Sequence, residues 1–444
     1  MRKFMALAAG LTLSIWIAGC GQGTTAGAPQ TSGSSRETAV SSSEADGAPE
    51  TSQAAQTAPQ ADDFDSCNIL NITHGDIAKK NSHGDVPEIA ATDIIITNTG
   101  NQSVSNFSYE YTILKNDGSY TEPQRHGIQG QIPLVPGISI KDSITSEFKS
   151  VAYSDVKDFE IQDYKYVLNG KQYTIDLRQK TVSVKENDRY QAEDFDQVNI
   201  LQVSAGAVEQ LPDEAGPGRA GLGAAPFTIT NNGQAAVDSI KVFSYFTNAN
   251  GENLMEYHPE YYYAMEPGKS LKDMRVCEDA APYISTFDEI KGFDIAGYEY
   301  AQGDRLYQVF LKDHTASSRS IGNVLSDREG KDILKDKLTV TLNSRDKDMD
   351  VHTAVNGTLD PAPADEIMLY ISILDKDGNC IGQTSTYLDP AGNDSFSTVY
   401  DNGFLSDAAS WQADYYYYNL NVKDADGNRG YGVYPVVNRV VGSK

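Results

Sequence analysis

The chain has 444 residues, 62 acidic against 36 basic, and a formal net charge of −26. A field of that sign repels phosphate backbones and anionic headgroups, which excludes nucleic acid as a partner. With 39% hydrophobic and 22% charged residues, 26 Tyr and 37 Gly, the composition fits several globular modules and excludes a coiled coil or a multispan membrane protein.

Residues 1–19 open with Arg2 and Lys3, followed by an apolar run from Phe4 to Ala18, the charged and apolar regions of an export signal. The run is too short for a stable membrane span. It closes in Ile17-Ala18-Gly19-Cys20, which resembles the lipobox of bacterial lipoproteins. The resemblance implies cleavage after Gly19 and attachment of acyl chains, palmitate among them, at Cys20. The chain would then sit lipid-anchored in the cell membrane, on its extracytoplasmic face. No other stretch has the length of apolar sequence that spanning requires, so the acyl chains would be the sole membrane attachment.

Residues 20–62 follow as a tether. From Gly21 to Asp62 there are Gly, Ser, Thr, Ala, Gln, Pro and acidic residues without one aromatic. Such a segment cannot bury enough apolar surface to offset its ordering entropy, so it is expected to be a disordered linker. Its root-mean-square reach would be about 35 Å.

An internal repeat begins at residue 63. Phe64-Asp65-Ser66-Cys67-Asn68-Ile69-Leu70 returns as Phe195-Asp196-Gln197-Val198-Asn199-Ile200-Leu201. Ile96-Thr97-Asn98-Thr99-Gly100 returns as Ile229-Thr230-Asn231-Asn232-Gly233, and Pro136-Gly137 as Pro267-Gly268. A fainter third copy is marked by Ser372-Ile373-Leu374-Asp375-Lys376-Asp377-Gly378, which answers to Thr112-Ile113-Leu114-Lys115-Asn116-Asp117-Gly118. Before each of these turns stands an alternating column: Phe107, Tyr109, Tyr111 and Ile113; Ile240, Val242, Ser244 and Phe246; Ile367, Leu369, Ile371 and Ile373. Period two in β-branched and aromatic residues predicts a half-buried strand, and the Asp-Gly and Asn-Gly pairs predict hairpins.

The predicted fold is therefore all-β: three tandem antiparallel immunoglobulin-like β-sandwiches over 63–186, 190–318 and 335–444. The order of turns and strands resembles the immunoglobulin-like modules of bacterial surface lipoproteins of the FxLYD type, over roughly 64–440. The Phe-x-Leu-Tyr-Asp string itself does not occur.

Motifs that would carry chemistry give little. Cys67, Cys277 and Cys380 fall one to a repeat, without the paired spacing of a zinc or redox site. Asp375-Lys376-Asp377-Gly378-Asn379 and Asp424-Ala425-Asp426-Gly427-Asn428 invite a calcium reading, but the glycine stands at the fourth position instead of the sixth and neither has a glutamate at the twelfth. Hairpin turns explain both. Gly268-Lys269-Ser270 lacks the earlier glycine of a phosphate loop and reads as a turn, and His74 and His83 read as surface-loop residues. No catalytic residue, metal ligand or cofactor is assigned.

Tyrosine is concentrated at Tyr257, Tyr261, Tyr262 and Tyr263 and again from Tyr415 to Tyr418. On a strand half of each run must face away from the core, where Tyr suits sugar rings or a protein interface. Tyr261, Tyr263, Trp411, Tyr416 and Tyr418 are accordingly the candidate ligand or interface residues. The reading is a non-catalytic, lipid-anchored envelope protein, a binding or structural module, with a cell-wall glycan or an envelope protein as partner. The alternatives are a carbohydrate-binding lipoprotein using its Tyr faces and an accessory subunit of an envelope enzyme.

Overall fold

The structure is a computed structural model. It describes the backbone over 62–443 except at 83–85, 128–132, 188–189, 213–218, 256–259, 279–282, 304, 321–337, 346–347, 356–366, 389–395, 402–408, 424–428 and 436–440. Side chains are described mainly over 64–320 and 370–383. The export signal, Cys20 and nearly all of the linker lie outside the described residues.

The fold is all-β. In the first sandwich, Leu70–His74, Ala78–Asn81, Glu88–Asn98 and Ser139–Thr145 share one sheet. Gln124–Gly127, Ser105–Lys115, Val156–Leu168, Lys171–Asp176 and Thr181–Glu186 make the facing sheet. The alternating column behaves as its period demands: Phe107, Tyr109, Tyr111 and Ile113 are all buried, while Ser108 and Glu110 between them stay partly exposed. Each such side chain contributes on the order of 1.5–3 kcal/mol on leaving water.

The second sandwich repeats the plan. Leu201–Ala205, Glu209–Gln210, Gly223–Asn231 and Ser270–Val276 lie in one sheet. Facing it are Ile240–Asn248, Asn253–Met255, Glu260–Tyr261, Ile290–Gln302, Arg305–Phe310, Thr315–Ser320 and Tyr190–Glu193. The last two pair antiparallel, so the strand that opens this repeat lies beside the one that ends it. In the third sandwich Leu338–Arg345, Asp348–Val355 and Phe396–Asp401 face a sheet that contains Ile367–Leu374, Cys380–Leu388, Ser410–Lys423 and Arg429–Pro435.

Backbone irregularities repeat with the sequence. A register shift falls between Glu110 and Tyr111, between Phe243 and Ser244, and between Tyr370 and Ile371, the same position in each copy. The hairpin glycines Gly118, Gly251 and Gly378 hold φ of 85°, 82° and 78°, a left-handed conformation that glycine adopts without steric cost. A bulge re-aims a strand locally, so its recurrence identifies the third repeat independently of side-chain similarity.

Consecutive sandwiches are joined through their sheets. Ser139 and Ile140 of the first pair in parallel with Leu254 and Met255 of the second, fusing two sheets into one of eleven strands. Leu271 of the second pairs in parallel with Cys380 of the third, giving a nine-stranded sheet. In both junctions the strand after the Pro-Gly turn donates, and the strand after the next repeat's hairpin glycine receives. Strand pairing inside each repeat is antiparallel as expected, whereas the two junctions pair in parallel.

Candidate functional site

Each of the first two repeats is locked by a set of polar side chains. Asn98 is fully buried; its Nδ2 donates to the Gln102 and Leu134 carbonyls at 2.9 and 2.8 Å, and its Oδ1 accepts from the Gly100 amide at 2.9 Å. Asn231 makes the same three bonds with Ala235, Met265 and Gly233. Tyr164 donates to Asn68 Oδ1 at 2.7 Å and accepts from the Leu70 amide, while Tyr166 donates to the Cys67 carbonyl. Tyr298 and Tyr300 do the same with Asn199, Leu201 and Val198. Burial raises all four phenols, so they remain neutral donors. These four tyrosines escaped the sequence reading, although their spacing by 134 residues is a signal of the same kind as the repeats.

The predicted tyrosine face is distributed otherwise. Tyr261 is buried and donates to Asp273, whose carboxyl is pushed up by its burial. Tyr263 is buried at the junction with the third repeat and donates to the Gly378 carbonyl at 3.2 Å. Neither offers a solvent-facing ring to a ligand, because both lie in the hydrophobic cluster of the second sandwich and are the inward half of the run. Tyr262 packs on Tyr370 at 4.4 Å between ring centres, and its main-chain N–H and C=O both bond the Gln383 amide. The side chains of Trp411, Tyr416 and Tyr418 lie outside the described residues. Their backbone register is informative: Tyr416 stands opposite Leu369 as Tyr164 stands opposite Tyr109 and Tyr298 opposite Val242.

The motifs set aside as turns are parts of the second junction. Lys269 donates through Nζ to the Asp377 carbonyl at 2.6 Å, and the Ser270 amide donates to Asn379 Oδ1 at 3.1 Å. Asp375 Oδ1 accepts from the amides of Asp377 and Asn379, both at 2.9 Å, and Oδ2 accepts from Lys272 Nζ at 3.1 Å. Burial pushes this carboxyl up, but the bonds from Asn379, Lys272 and the Asp377 amide outweigh it and bring it down to about 2. The acidic turn thus spends its oxygens on its own loop and on the preceding sandwich. The 424–428 loop and His83 lie outside the described residues. His74 approaches Asp158 at 3.3 Å.

Among the described residues no group of three or more His, Cys, Asp or Glu side chains is placed to hold a metal ion. Cys67 is half-buried, and Cys277 and Cys380 are buried. No described helix is long and apolar enough to cross a membrane. The chain matches no protein-family model and no curated protein.

The geometry therefore defines surfaces between modules. On the face of Ile240–Asn248 turned from its own core, Phe243 and Tyr245 are buried in the hydrophobic cluster of the first sandwich, together with Met255, Ala296 and Phe310. On the third repeat Leu374 and Cys380 enter the cluster of the second. Where the first module covers it, the receiving sheet of the second combines these apolar side chains with a buried polar set, in which Ser105 of the first sandwich donates to Gln308 at 2.7 Å and Gln308 donates to Glu299 at 2.8 Å.

Proposed function

We propose that the chain is a non-catalytic, lipid-anchored protein of the cell envelope, in which coupled β-sandwiches form a structural or display module at the end of a tether. The observation that carries this reading is main-chain pairing across both junctions, which fixes each sandwich against its neighbour as a scaffold requires. The Ile17-Ala18-Gly19-Cys20 segment supports the anchor, and the composition of residues 20–62 supports the tether. The carbohydrate-binding reading loses Tyr261 and Tyr263, which are enclosed, and Trp411 and Tyr416 stand opposite Ile373 and Leu369, the register of the buried Phe159 and Tyr164, with Tyr418 two positions further on.

Expression of the full chain with Cys20→Ala in a bacterial host tests the anchor: the wild type is expected in the membrane fraction and the variant in the soluble one. Equal membrane retention of both would overturn it. Incubating the chain with purified cell wall tests the role, a scaffold being expected to show no saturable retention on the insoluble glycan. Saturable binding would replace the structural reading with the carbohydrate-binding one.

A further inference from the structure

The first sandwich has a sheet equivalent to the receiving sheets of the other two, with an isolated bridge from Leu114 to Tyr120 at the receiving position, and among the described residues no donor strand pairs there. The Lys115 amide bonds the Ser119 carbonyl and the Thr121 amide bonds the Ile113 carbonyl. Antiparallel geometry then turns the N–H and C=O of Tyr120 away from Ser105–Lys115. Tyr120 is the counterpart of Asn253 and Cys380, which lie on the two strands that receive a donor. At the other end Phe396–Asp401 is the third donor strand. It pairs with Asp348–Val355, as Ser139–Thr145 pairs with Glu88–Asn98, and among the described residues it has a partner on that side only. One chain thus carries both halves of a joint that it uses twice internally, the arrangement that generates open head-to-tail filaments.

The receiving face of the first sandwich departs from the other two at the decisive positions. Where the second repeat has Phe243 and the third Tyr370, the first has Glu110; where the second has Tyr245, the first has Thr112. Glu110 is held by Arg125 at 2.7 Å, and Thr112 accepts from Gln162 Nε2 at 2.8 Å. Toward the hairpin, Glu160 accepts from the Tyr120 hydroxyl at 2.9 Å and pairs with Arg178 at 3.6 Å, while the Arg178 guanidinium lies over the Tyr120 ring. Asp163, opposite Glu110, adds a further carboxylate. Seating a sandwich here by the internal geometry would set the Glu110–Arg125 ion pair and the Asp163 carboxylate where Phe243 and Gly297 stand in the first joint, so the contact would lose the apolar burial of Phe243 and take on the desolvation of charged groups instead.

We infer that the ion-paired face of the first sandwich is a cap that blocks a second copy of this chain from docking head to tail, so that the module stays monomeric although its main-chain edges are complementary. Terminal repeats with a polar outer face serve this purpose in repeat arrays generally. The inference goes beyond the proposed function and does not depend on the anchor.

The test is to give the first sandwich the residues of the second, Glu110→Phe with Thr112→Tyr in the full chain, and to follow sedimentation against concentration in mild detergent beside the wild type. The wild type is expected to remain monomeric, and the variant to form a concentration-dependent ladder of oligomers. Adding wild type in excess should shorten the ladder to dimers, because the wild type donates its third sandwich but cannot receive. A folded variant that stays monomeric would overturn the inference, as would oligomers of the wild type. Should the double variant fail to fold, Glu110→Leu with Arg125→Leu removes the ion pair at similar volume and must show the same ladder.

Discussion

Tyr298 donates its hydroxyl proton to Asn199 Oδ1 at 2.7 Å and accepts from the Leu201 amide at 3.1 Å, tying the long strand of the second sandwich to the segment that opens it. Replacing it with Phe keeps the ring and leaves a side-chain acceptor and a main-chain donor unpaired. Tyr298→Phe is expected to cost about 1–3 kcal/mol in chemical denaturation, and Tyr164→Phe the same in the first sandwich. A loss below about 0.5 kcal/mol at both sites would show the pair to be incidental.

Asn231 is fully buried and makes three hydrogen bonds to main-chain groups of its own loop and of the Met265 segment. Asn231→Asp is nearly isosteric but turns two donors into acceptors facing carbonyl oxygens. It is expected to destabilise the second sandwich more than Asn231→Ala does, by 1 kcal/mol or more as measured by thermal melting at neutral pH.

The carboxyl of Asp375 lies at about 2 in the folded chain against an unfolded value of 3.8. A depressed folded value means that its contribution is complete above about pH 4 and is lost as pH falls toward 2. The contribution is on the order of 2 kcal/mol, spread over the turn and the Lys272 pair. Asp375→Asn is expected to flatten the acid limb of the stability curve over this window and to leave its slope above pH 5 unchanged. Denaturant midpoints at half-unit steps of pH measure it.

Gly297 stands opposite Phe243 in the ladder, and a Cβ there would meet the Val309 carbonyl oxygen at 2.3 Å and the Phe310 Cα at 3.3 Å. Backbone must move to admit it. Gly297→Ala is expected to cost roughly 1–3 kcal/mol and to accelerate hydrogen exchange along 305–310. Gly251→Ala strains only its own turn, since a Cβ there meets nothing within 4 Å, and it should leave that segment protected.

The repeats, the alternating columns and the hairpin glycines were legible in the sequence because each is a local signal, carried by period two or by a dipeptide that tolerates positive φ. The junctions were not. A parallel bridge such as Leu271 to Cys380 joins residues more than a hundred positions apart and leaves no periodicity in either strand. The same blindness misplaced the tyrosines. Alternation predicts that half of a Tyr run faces water, but Tyr261, Tyr262 and Tyr263 are all buried, since what lies outside their own sandwich is the next one. Phe243 and Tyr245 carried the clue, as outward aromatics on a strand whose inward column was already filled.

A joint made from one strand of each neighbour has a consequence for how such a gene changes length. A duplication taking in one whole sandwich copies a donor and a receiver together. Inserted behind the first repeat, the new copy therefore finds a fitting neighbour on either side at once. Arrays of this kind can gain or lose a unit by recombination without any new interface having to evolve, while the first unit, whose outer face is closed, stays in place.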